Sequence, residues 1–261
     1  ELTEYILLIL GGVAAGIINT LAGNGSAITL SLLIFTGLPA DVANATNRIG
    51  AAVQTLTAVG SLKRTARTRF LFKDASWFVV PAVIGSIAGA LLAVEVDPDA
   101  LRIIIGLVML SLLITMITNP RKWGRQTNVG KSHKTTLNWV MVLLIALYGG
   151  FLQMGIGIML LSVLVLFAQY SLRDANIIKL ILALVLVIPA FVVFVLSGDI
   201  NWLPGLLLAL GQGIGAFIGA RYILFLPRAN LIIRWLLIAI LSVSSVVLLK
   251  LHLLIWQMFG N

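Results

Sequence analysis

Two small polar clusters interrupt an otherwise apolar chain, and both sit on glycine-rich breaks. Asn19, Thr20, Asn24 and Ser26 surround Gly23 and Gly25, and Gln153 stands just before Gly155 and Gly157. Glycines at this spacing break a helix, and a broken helix frees backbone N–H and C=O groups for a ligand. The N–H groups that open a returning helix attract anions. Downstream of each break lies a cation. Arg48 has Asn44, Thr46 and Asn47 beside it, and Lys179 follows Asn176 by three residues. The chemistry within reach of these groups is charge-assisted hydrogen bonding to a small anion. Other roles stay open: the small polar residues can pack helices and satisfy freed backbone. Arg48 can snorkel outward or pair with a carboxylate at the outer face, and Lys179 can snorkel inward or pair with Asp174.

Other chemistries find little support. The chain has no cysteine, which excludes disulfides, thiolate metal sites and thiol redox chemistry. Its two histidines, His133 and His252, lie in a polar loop and near the C-terminus, so neither a metal nor another cofactor is expected. No nucleophile triad, phosphate loop or nucleotide fold is visible, and the protein is not read as an enzyme. No Asp or Glu lies well inside an apolar run, which argues against a carboxylate proton relay.

The elements that must position these residues follow from composition. The chain is 60% hydrophobic and only 10% charged, with a mean hydropathy of +1.10. Apolar runs near the ~20-residue length that crosses a bilayer recur at 43–62, 75–94, 101–118, 175–197, 202–220 and 231–250. Two further helices, 5–22 and 138–153, each lead into a break. The expected fold is an all-α polytopic membrane protein, with the lipid bilayer as its surroundings. No basic region precedes the first apolar run, so no cleavable signal peptide is expected.

Charge sets the orientation. The net charge of +9 is collected in short segments: Lys63, Arg64, Arg67, Arg69 and Lys73 in a loop at 63–73, and Arg121, Lys122, Arg125, Lys131 and Lys134 in a loop at 119–136. Such clustering marks the cytoplasmic side of a membrane rather than a nucleic-acid surface. With both loops inside, Glu95, Asp97, Asp99 and Asp199 fall outside, and every basic residue but Arg48, Arg102 and Lys250 lies at or near the inner face. Both termini are then expected outside, in what reads as a bacterial cytoplasmic membrane.

The arms after the breaks are too short to span. From Gly25 to Pro39 a helix reaches roughly 20 Å, against about 30 Å of hydrocarbon; Gly157 to Tyr170 is similar. Each half is therefore a glycine-broken hairpin followed by three transmembrane helices. An odd number of crossings inverts the second half. A shift of 132 residues lays Gly23 and Gly25 on Gly155 and Gly157, Ala43-Asn44 on Ala175-Asn176, and Asn47 on Lys179. The expected organisation is a first repeat over 1–118, a basic connecting loop over 119–136, and a second, inverted repeat over 137–261.

The run Gly-Ile-Ile-Asn-Thr-Leu-Ala-Gly-Asn-Gly at 16–25 resembles the glycine-rich hairpin of the sulfite exporter TauE/SafE family of membrane transporters. So do Gly-Leu-Pro-x-x-x-Ala-x-Ala-Thr at 37–46, Asp174-Ala175-Asn176-x-x-Lys179, and Gly198-Asp199-Ile200-Asn201-Trp202 with Gly215 to Arg221. The likeness departs from the family pattern at Ser26, Ile158 and Ile177-Ile178. It implies export of sulfite or an organosulfonate. Together with the paired breaks, it leads to the expectation of an alternating-access carrier with a midplane anion site. An anion channel, or a membrane enzyme or scaffold without transport, is the alternative.

Overall fold

The computed structural model describes residues 2–21, 23–62, 65–118, 134–222 and 242, and their regular structure is entirely helical. α1 (Leu2–Leu21) runs into the first break, and α2 (Ser26–Phe35) returns from it. α3 (Ala40–Gly60), α4 (Ala66–Ala75), α5 (Val79–Glu95) and α6 (Pro98–Thr118) complete the first half. α7 (Thr136–Phe151) runs into the second break, and α8 (Ile156–Ser162) continues through a π-helical turn, Val163–Phe167. α9 (Leu172–Ser197) and α10 (Trp202–Arg221) follow. The expected span at 231–250 and residues 119–133 of the connecting loop lie outside the described residues.

Among the described residues, four helical stretches, Leu2–Leu21, Ala66–Glu95, Arg173–Ser197 and Trp202–Arg221, are long and apolar enough to cross a bilayer. Their outward faces carry exposed leucine, isoleucine and phenylalanine, as on Leu7 and Leu10 of α1, Ile84 and Leu91 of α5, and Leu210, Ile214 and Phe217 of α10. Such a surface suits lipid and not water. α3 is the most polar long helix. Arg48, Asn44, Asn47, Thr46 and Gln54 are all buried along it, so its polar groups face protein.

One expectation is corrected. The basic segment read as a loop at 63–73 is helical from Ala66 onward, and a 3₁₀ turn at Ser76–Phe78 joins α4 to α5. Thr65 starts the helix by accepting the Thr68 N–H at 3.1 Å. Thr68, Leu71, Asp74 and Ala75 then bury one face at helical spacing, while the arginines and Lys73 stay exposed. Counting charge marked the segment as polar but missed this period. Asp74, taken for a residue outside the spans, is instead buried on the helix that runs through Glu95.

Packing within the bundle follows an exchange pattern. α1 lies against α10, and α7 against α5; α3 lies against α10, and α9 against α5. α3 and α9 cross each other, with Ala45 on one and Ala190 and Phe194 on the other in a single cluster. Where lipid surrounds helices, close packing rather than water exclusion drives their association, and small residues permit it. Gly12 and Gly16 of α1 meet the backbone of α10 near Gln212, and Gly85 and Gly89 of α5 meet that of α7 near Leu143 and Leu147.

Charged contacts gather where α4 meets α9. Arg67 donates to both oxygens of Asp174, at 3.2 and 2.5 Å. Asp74 accepts from the Tyr170 hydroxyl and lies 3.4 Å from the Lys134 ammonium. Burial, and then the Asp74 carboxylate, hold the Tyr170 phenol above its ordinary range, so it remains the donor.

Two outcomes are expected in thermal unfolding of detergent-solubilised protein. Gly157→Ala places a Cβ on the Gly23 backbone and should cost about 1–3 kcal/mol, whereas Gly60→Ala, with open space around it, should hold or raise the midpoint. Arg67→Ala should cost less than about 1 kcal/mol, because the Arg67 side chain is 59% exposed.

Candidate functional site

The two breaks meet. Gly23 and Gly157 approach so closely that a Cβ on either would overlap the other's Cα. Gly23 adopts a φ of 81°, open to glycine at little cost, and closes α1 by donating its N–H to the Ile18 carbonyl. At the second break Gly155 holds a φ of 77° and opens α8, its carbonyl accepting the Ile158 N–H at 3.1 Å, while the Leu152 N–H closes α7 on the Tyr148 carbonyl at 2.8 Å. Gln153 holds a φ of 63° without being glycine, a conformation that costs of order 1–3 kcal/mol. Its amide is buried and its Oε1 has no hydrogen-bond partner among the described residues.

Around the first break the side chains are tied to the backbone they interrupt. Asn19 Oδ1 accepts the Gly25 N–H at 2.8 Å, and its amide nitrogen donates to Ser26 Oγ at 3.3 Å and to Gln54 Oε1 at 3.0 Å. Thr20 turns back to the Gly16 carbonyl at 2.8 Å. Asn24 is fully buried at the apex. At the second break Tyr148 replaces the asparagine: its hydroxyl donates to the Met154 carbonyl at 2.7 Å.

Arg48 and Lys179 reach the same region from α3 and α9. Arg48 is completely buried and donates to the carbonyls of Gly149 at 2.8 Å, Gly150 at 2.7 Å and Phe151 at 3.1 Å. Its guanidinium lies over the Phe194 ring, 4.9 Å from the centroid, and its Nε–H has no partner among the described residues. Asn44 accepts from Arg48 at 3.4 Å and donates to the Phe151 carbonyl at 2.9 Å. Lys179 donates to the carbonyls of Thr20 at 3.1 Å and Asn19 at 3.4 Å. Neither cation snorkels, and neither forms a carboxylate pair among the described residues; Asp174, the alternative partner for Lys179, is taken by Arg67.

Not every expected residue converges. Asn47 accepts from Thr29 on α2 at 2.6 Å and keeps a buried amide nitrogen without a partner among the described residues. Thr46 turns away to accept the Asn201 N–H at 2.9 Å, ahead of α10. Asn176, half-buried, lies about one turn before Lys179. Two glutamines were missed. Gln54 bonds Asn19, and Gln212 of α10 lays its amide over Gly50 of α3, its Oε1 without a partner among the described residues. The signal was available for Gln54, which follows Asn47 by seven residues on one helix face. For Gln212 only the α3–α10 packing supplies it.

Set beside known proteins, the sequence profile of the sulfite exporter TauE/SafE family matches residues 8–248. A probable membrane transporter protein, ORF9 of Sinorhizobium sp, is 29% identical over 216 residues, covering 80% of this chain and 78% of its own. The probable membrane transporter protein YfcA of Escherichia coli K12 is 26% identical over 235 residues, covering 90% and 86%. One from Haemophilus influenzae is 24% identical over 213 residues, 82% of each chain. No solved structure is significantly similar. A profile match over nearly the whole length, on a helical bundle with broken hairpins, leads to one conclusion: this chain belongs to the sulfite exporter TauE/SafE family of membrane transporters.

Proposed function

We propose that the protein moves a small anion, such as sulfite or an organosulfonate, out of the cell by alternating access around a site between the two breaks. The observation that carries this reading is a pair of fully buried cations with no carboxylate partner among the described residues. Charge bookkeeping gives the sign. The C-termini of α1 and α7 offset about half a charge each, and the N-terminus of α2 adds about half a charge. Roughly +1.5 remains around the breaks. An uncompensated charge of that size at membrane depth is costly, and an anion relieves it.

Polar groups held ready support a ligand here as well. The Arg48 Nε–H and the Asn47 amide nitrogen are donors without partners among the described residues. The strained backbone at Gln153 is of the kind found at binding sites. Asn24, Ser26 and Asn176 complete the polar surroundings. Binding through a few such hydrogen bonds is weak enough for release.

The carrier reading draws on the exchange of helix partners, α1 with α7, α3 with α9 and α5 with α10, under which each half packs on the other alike. Inverted repeats that rock about a fixed site pack this way. We take the orientation from charge: the Arg67–Asp174 and Lys134–Asp74 ion pairs inside, the Asp97–Asp99 turn outside, and a bacterial cytoplasmic membrane as the setting. An inside-negative potential then drives anion efflux with about 2.3 kcal/mol per charge per 100 mV.

The test is flux in proteoliposomes, with substrates first chosen by thermal shift against sulfite, sulfate, thiosulfate, sulfoacetate and small carboxylates. Saturable flux accelerated by counter-substrate is expected, reduced at least about tenfold by Arg48→Ala or Lys179→Ala, as loss of a charge-assisted hydrogen bond implies. Parent-like flux in both variants would sink the electrostatic reading. Non-saturating flux without counter-substrate acceleration would identify a channel.

A further inference from the structure

The geometry points to Arg48 and Lys179 as crossed positioning residues, each carried by one half of the chain and holding closed the broken helix of the other. A helix leaves its last four carbonyls without intrahelical partners, and basic side chains can satisfy them. Neither α1 nor α7 has a basic residue in its own last turn. The caps come from afar. Arg48 on α3 takes the Gly149, Gly150 and Phe151 carbonyls that end α7, across more than 100 residues. Lys179 on α9 takes the Asn19 and Thr20 carbonyls near the end of α1, across about 160.

The crossing has a mechanical consequence. Carbonyls at membrane depth must find a partner in the protein or in a watery cavity. Moving α3 away from α7 uncaps the second break and admits water there; moving α9 away from α1 does the same at the first. Each break therefore opens with its own cap and not with the other's. Arg48 and Lys179 thus act on the path through the break each one caps, in addition to any contact with the anion. This inference goes beyond the transport reading and is tested without a substrate. Its failure leaves the anion site standing, and a failed flux assay leaves the caps in place.

The absence of cysteine makes single-thiol reporters available. Asn24→Cys marks the first break and Gln153→Cys the second, both at buried positions. Labelling by a membrane-impermeant maleimide is followed in oriented membrane vesicles, with reagent on either side. Lys179→Gln should speed labelling of Asn24→Cys by about tenfold, as lost charge-assisted hydrogen bonds imply, and leave Gln153→Cys within about twofold. Arg48→Gln should do the reverse. Lys179→Arg, which keeps charge and donors, should label at the parent rate. If either glutamine variant fails to reach the membrane, Arg48→Lys takes its place. It keeps the charge but lacks the guanidinium fork that reaches three carbonyls, and selective loosening of Gln153→Cys is expected. The inference is overturned if a substitution loosens both breaks alike, loosens neither, or if Lys179→Arg behaves like Lys179→Gln.

Discussion

Backbone carbonyls that end a helix inside a membrane have no water to turn to, and the rest of this structure is arranged around that constraint. α1 and α7 both stop within the bundle. Their terminal carbonyls are met by Arg48 and Lys179, whose guanidinium and ammonium are fully buried and unpaired with carboxylate among the described residues. A buried cation is costly by itself, and an open helix end is costly by itself. Brought together, each relieves part of the other. The helix dipole adds to this, since its negative end faces the cation.

The relief is incomplete, and the proposed function draws on the remainder. About half a charge from each helix end does not cancel a whole cation. The excess positive charge lies beside backbone already opened by Gly23, Gln153 and Gly155 and beside the Asn47 and Gln153 amides, each with an atom that has no partner among the described residues. Full satisfaction would have made a rigid, inert core. In the proposed reading, partial satisfaction leaves a place where a passing anion lowers the energy without being trapped, as a transport site requires.

Glycine lets these ends come together. The Gly23–Gly157 contact leaves no room for a side chain, so the two breaks meet backbone to backbone with no side chains between them. The same device lets α1 lie on α10 and α5 on α7 at short distance, giving the hairpins flat partners along their length. Packing of this kind is tight but carries few directional bonds, a property suited to helices that move as bodies.

Much of this was legible in order and spacing alone. Apolar runs of bilayer length, the glycine breaks and the two isolated cations are local features, and hydropathy and charge respond to them directly. Their residue types led to the expectation of an anion site, on which the proposed function rests. The helical start at Ala66 was not read, because a cluster of basic residues hid a period of buried Thr68, Leu71 and Asp74. Which carbonyls Arg48 and Lys179 would find, and that Thr46 would turn instead to Asn201, were decided only by the tertiary structure. Those partners lie 100 or more residues apart, and a side chain's choice among acceptors depends on which helices are packed against it. Sequence sets what each group can bond; the fold sets what is within reach.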